Sequence, residues 1–160
     1  MKLRRQEVSH YLKEIKETCM ITFFGDPNYL VKEAGLQVLI KIIESFDTNE
    51  LLPIIQPVSM LDKLLDEIKL RKPSASVKGA IWQLVGLLHH KYDNLVNARL
   101  VESQDVCLQS LQDQVKASKP EIKAIIGMVK GLTSMLSAGC TLNDRELQSL
   151  YIMVKTVMKS

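Results

Sequence analysis

Aromatic residues are scarce in this chain of 160 residues, at 5%. Leu, Ile, Val and Met must carry its interior, a choice that suits packed helices. Cysteine is scarcer still. Cys19, Cys107 and Cys140 are odd in number, far apart and each within a helical pattern, so they fit neither a disulfide framework nor a zinc site. They read as small buried apolar residues of a reducing compartment. The basic start Met1-Lys2-Leu3-Arg4-Arg5 lacks the roughly seven to fifteen apolar residues that follow in a secretory signal. No run approaches the roughly 18 apolar residues of a membrane span. A phosphate-binding Gly-rich loop, GxSxG, HExxH and the kinase catalytic loop are all missing, so no catalytic residue, cofactor, metal or small-molecule substrate is expected. Lys plus Arg exceed Asp plus Glu by only 21 to 18, too little for a nucleic-acid coat.

What is present is a repeat. Val31-Lys32-Glu33-Ala34-x-x-x-Val38 returns as Val77-Lys78-Gly79-Ala80-x-x-x-Leu84 and as Ile122-Lys123-Ala124-Ile125-x-x-x-Val129, at offsets of 46 and 45 residues. A period of about 40 to 47 with helical spacing inside each copy marks paired-helix units of the HEAT or armadillo kind. Such units stack to bury their apolar faces and present an extended surface. With 46% apolar and 24% charged residues, the expectation is a soluble all-α protein: a right-handed α-solenoid of HEAT-like antiparallel helix pairs, about three repeats plus one extra helix.

Apolar residues at spacings of three and four place seven helices. The first covers 6–24, with Val8, Tyr11, Leu12, Ile15 and Cys19 inward, and ends at Gly25. Asp26-Pro27 opens the second, which runs to Phe46 and buries Leu30, Ala34, Val38, Leu39, Ile42 and Ile43. A connection through Asp47, Thr48 and Pro53 leads to the third, 57–71, with Val58, Leu61, Leu64, Leu65 and Ile68, stopped by Pro73. Ser74 or Ser76 caps the fourth, which reaches His89 or His90. The fifth spans 95–116 in one or two pieces, with Val101, Leu108, Leu111 and Val115 inward. Ser118-x-x-Glu121 reads as a capping box for the sixth, which buries Ile122, Ile125, Ile126, Val129, Leu132 and Leu136 before a Gly139 C-cap. Thr141 or Asn143 opens the seventh, 144–158, with Leu147, Leu150, Tyr151 and Val154. The repeats are then 6–46, 56–90 and 94–136, with an extra helix at 143–158. The apolar stripe on that last helix has no following partner, which suggests a segment of a longer solenoid.

Lys32, Lys78 and Lys123 recur early in the second helix of each pair. Stacking would set them in a ladder, either a basic stripe for nucleic acid or an acidic partner or a solvated position answered by neighbouring acids. Lys69, Arg71 and Lys72 form a second basic spot, where cations also complement a helix C-terminus. His89 and His90 are about 100 degrees apart on a helix, poorly placed to share an ion, and read as a polar helix end. Trp82 reads as partly buried between repeats. Ser103-Gln104, a kinase-type dipeptide, is expected about once by chance in this composition.

Glu14 to Cys19, Val38 to Phe46, Leu84 to Leu88 and Val129 to Leu136 resemble, in order and approximate spacing, the beginning of DNA-dependent protein kinase catalytic subunits. These are giant serine/threonine kinases of the phosphatidylinositol-kinase-related group. The resemblance covers about 8–157 and weakens in the connections 48–57 and 89–98. It implies a piece of the N-terminal solenoid of a nuclear kinase that joins the Ku heterodimer at double-stranded DNA ends in non-homologous end joining. The kinase domain would lie far outside this chain. Composition and periodicity by themselves support a scaffold, and an adaptor that binds only proteins is the alternative.

Overall fold

A computed structural model describes residues 5–139 and 141–159, and every regular element among them is a helix, without strands. The Cys140 reading and the start at 1–4 lie outside the described residues. In order come α1 (Arg5–Gly25), α2 (Tyr29–Ser45), α3 (Thr48–Ile55), α4 (Pro57–Asp66) with a π turn (Glu67–Arg71), α5 (Ala75–Lys91), α6 (Asp93–Val96) with a 3-10 turn (Asn97–Arg99), α7 (Leu100–Lys116), α8 (Ile122–Ser137) and α9 (Asp144–Lys159).

Local chemistry sets most boundaries. The Asn28 side chain accepts from the Leu30 N–H at 2.9 Å and caps α2, while Asp26 accepts from the Asn28 N–H at 2.8 Å. The cap therefore falls two residues beyond the expected Asp26, and Pro27 stays outside the helix. Asp47 caps α3 by accepting from Asn49 and Glu50 N–H groups at 2.9 and 3.2 Å. The expected plain connection is thus a helix. Pro53 lies inside it, at the cost of one backbone donor, while Leu51, Ile54 and Ile55 are buried. Gln56, left-handed at φ 51, turns the chain into α4, whose first residue is Pro57. The expected capping box at Ser118 does not form, because α7 has only just ended and α8 starts after Pro120, with Glu121 making no side-chain cap bond. A reciprocal box forms at α9 instead. Asn143 accepts from the Glu146 N–H at 2.8 Å, and Glu146 accepts from the Asn143 N–H at 3.1 Å.

The helices form two layers. α2 packs on α5 and α5 on α8; α1 lies against α2, α4 against α5, and α7 against α8, with α9 on α7. The closest seam is between α5 and α8, where Gly79 and Gly86 face Ala124, Gly127 and Gly131. A Cβ on Gly79 would stand 2.8 Å from Ala124 Cα, and one on Gly86 would stand 2.6 Å from Gly131 Cα, so only glycine permits this backbone approach. Phe23, Leu36, Leu39, Leu51, Leu64, Leu65, Ile81, Trp82, Leu84, Leu88 and Met135 are fully enclosed around these contacts.

Several expected core positions face outward. Leu30 is 59% and Val38 42% exposed, and Ala34 is exposed. α2 is apolar on more than one stripe, and the stripe that packs is Leu36, Leu39, Ile40 and Ile43, aided by Gly35 beside the Cys19 backbone. Tyr11, Ile15, Val58, Val101, Ile122, Ile126, Leu147, Tyr151 and Val154 are likewise exposed, while Met128 and Met153 are buried in their place. Trp82 is wholly rather than partly buried.

Candidate nucleic-acid interface

Lys32 lies in the first turn of α2, Lys78 in that of α5 and Lys123 in that of α8, helices that form one layer. Their surroundings differ. The Lys32 ammonium sits 6.0 Å above the Phe23 ring centroid, a cation–π distance. Lys123 pairs with Glu33, which is 6% exposed, although Lys123 itself stands in solvent. Its hydrogen bond to Glu33, and then the charge of that carboxylate, hold the Lys123 ammonium above the usual lysine range. Lys78 is half-buried and makes no ion pair among the described residues.

The second basic spot lies on the α4–α7 side. Lys69 pairs with Glu102, and Arg71 reaches the buried Glu67 at 3.6 Å. Lys72 occupies a left-handed turn at φ 45. Arg99 completes a network by pairing with Asp62 and donating to Glu102 at 3.2 Å. The Lys69 hydrogen bond, followed by that of Arg99, holds the Glu102 carboxyl below its ordinary range. Of the six expected basic contacts, Lys69, Arg71 and Lys123 already have acidic partners.

His89 is not part of a polar helix end. It is fully buried, its Nε2 is 2.8 Å from Ser103 Oγ, and its Nδ1 has no hydrogen-bond partner. Burial, and then the nearby Arg99 charge, lowers its pKa to about 4. The neutral ring ties α5 to α7, and Ser103 is enclosed with it. Gln104 joins α7 to the entry of α9 by donating to the Thr141 carbonyl at 3.0 Å. Cys107 is buried and its thiol pKa is pushed far up by desolvation, the state of an inert core residue. Sequence reasoning missed the Glu33–Lys123 and His89–Ser103 pairs. The one signal it could have used was Gly79, Gly86, Gly127 and Gly131 at helical spacing, which foretells the close crossing.

Among the described residues, no group of three or more His, Cys, Asp or Glu could hold a metal ion, and no helix is long and apolar enough to cross a membrane. A family model described as DNA-PKcs, N-terminal, matches residues 1–159. The chain belongs to that family. Membership in the DNA-PKcs N-terminal family makes this a non-catalytic region of its parent kinase, whose kinase domain lies elsewhere. No solved structure matches the chain.

Proposed function

We propose that this chain is a HEAT-repeat scaffold segment of a nuclear DNA-dependent serine/threonine protein kinase, contributing to DNA-end and Ku engagement in double-strand break repair by non-homologous end joining. The observation that carries the reading is the DNA-PKcs N-terminal match over residues 1–159. Three helical pairs, at 6–46, 56–90 and 94–136, with an extra helix at 143–158, would stack with the remainder of the parent solenoid. Lys32, Lys78 and Lys123, with Lys69, Arg71 and Lys72, would supply phosphate contacts. Because half of these cations are already paired, the binding is weak and non-specific, within about 10⁻⁴ to 10⁻⁶ M. The test is titration with blunt-ended duplex at two salt concentrations, comparing the parent chain with a Lys32→Gln, Lys78→Gln, Lys123→Gln variant. Each phosphate-binding lysine removed should make the salt dependence shallower by about one unit. Equal binding by both proteins would refute the ladder.

The ion pairs at Lys69, Arg71 and Lys123 favour a second reading, an adaptor whose partners are proteins. No duplex affinity at either salt concentration, combined with no capture of purified Ku, would select it.

A further inference from the structure

Between α2 and α8, above α5, runs a trench of mixed polar and apolar lining. It consists of two cavities of about 380 and 450 Å³ that share Glu44, Gln83 and Lys130. The trench follows from the glycine seam. Gly127 and Gly131 bring α8 onto the α5 backbone, so the flank of α8 that carries Lys123 and Lys130 faces the flank of α2 that carries Gln37 and Lys41. Gln83 and Leu87 of α5 lie between these walls.

Lys41, Lys123 and Lys130 outnumber the carboxylates beside them, Glu33 and Glu44, by one, which leaves the trench with a single positive charge in excess. Lys41 is 77% exposed along its side chain and meets Glu44 only at 4.0 Å. Glu33 is committed to Lys123, and Lys130 makes no ion pair among the described residues. The amides of Gln37 and Gln83 have no hydrogen-bond partner among the described residues. Each offers a carbonyl acceptor and an NH₂ donor, the complement of a peptide unit. Leu87 and Val129 are half-buried apolar spots beside them.

We propose that this trench is a docking site for an extended acidic polypeptide segment. The amides of Gln37 and Gln83 bond its main chain, Lys41 and Lys130 meet its carboxylates, and Leu87 and Val129 receive one apolar side chain. The site goes beyond DNA contact: it meets the proposed ladder only at Lys123, which is committed to Glu33, while Lys41, Gln83 and Lys130 are not ladder residues.

The test is fluorescence anisotropy of the full chain with a labelled decapeptide of Asp and Glu around a central Leu. A Gln-and-Asn version of that peptide and a short duplex serve as comparison probes. The acidic peptide should bind, weaken as salt rises, and lose about threefold to tenfold in affinity with Lys130→Gln or Gln83→Ala, in line with one exposed charge pair or one hydrogen bond. Lys130 is exposed and Gln83 lies half-buried at the trench, so each variant should keep the parent's helical circular dichroism and melting temperature. Lys32→Gln should leave peptide binding unchanged, which separates this site from the proposed DNA ladder. Equal binding of the acidic and amide peptides, or affinity unaffected by both trench variants, would each overturn the proposal.

Discussion

Replacing Gly131 by alanine should destabilise the protein, although alanine is the better helix former. By intrinsic propensity, which already contains the greater freedom of glycine in the unfolded chain, the change gains about 1 kcal/mol. The seam reverses the sign. A Cβ at 131 would meet the Trp82 carbonyl group, with its carbon at 2.7 Å, and the Gln83 nitrogen at 3.3 Å. Ordinary contact begins near 3.4 Å, so α8 must retreat by at least about 0.7 Å to clear the carbonyl carbon, and further to clear the nearer carbonyl oxygen, along a packed seam. The obstructing atoms are helix backbone and cannot rotate away. Overpacking costs about 1 to 3 kcal/mol and reaches the top of that range or beyond where backbone is involved, so about 3 kcal/mol set against the gain of about 1 kcal/mol places the net loss near 2 kcal/mol. Urea unfolding followed by circular dichroism reads this directly, and the melting temperature should fall by roughly 4 to 8 °C for a domain of this size. Gly25→Ala is the control, since nothing lies within 4 Å of its added Cβ, and it should be neutral or stabilising. A Gly131→Ala protein as stable as the parent would mean that α5 and α8 do not approach at this seam.

Leu84→Ala should cost about 2 to 5 kcal/mol by leaving a cavity at a fully enclosed position, and a loss below about 0.5 kcal/mol in the same urea assay would contradict its place in the core. His89 gives a pH dependence: because its folded pKa is lowered to about 4, the unfolded state takes up the proton first. Its contribution is intact above about pH 6.5 and falls as the pH drops towards 4, by up to about 3 kcal/mol. Stability curves between pH 4 and 7 should therefore be flatter for His89→Gln than for the parent.

The paired-helix class was legible because the repeated Val-Lys, Val-Lys and Ile-Lys runs sit at matching places at the starts of α2, α5 and α8. The register of α2 was legible only in its second half, where Leu39, Ile42 and Ile43 are buried as expected. In the first half Leu30, Ala34 and Val38 form as good a stripe as Leu36 and Ile40, and only the neighbours α1 and α5 decide between them. Pro53 concealed α3, since proline argues for a break while the Asp47 cap and the burial of Leu51 and Ile55 favour a helix. The lysine positions could be read, but not their partners: Glu33 meets Lys123 from about ninety residues away in sequence. His89 looked polar next to His90, yet its partner Ser103 arrives only when α7 packs.

Amide hydrogen exchange across the chain, alone and with a duplex end plus Ku heterodimer, tests the scaffold account most directly. The account predicts added protection concentrated in the first turns of α2, α5 and α8, around Lys32, Lys78 and Lys123, and abolished when those lysines become glutamine. Exchange unchanged on addition of DNA and Ku, or protection confined to helices away from these turns, would contradict it.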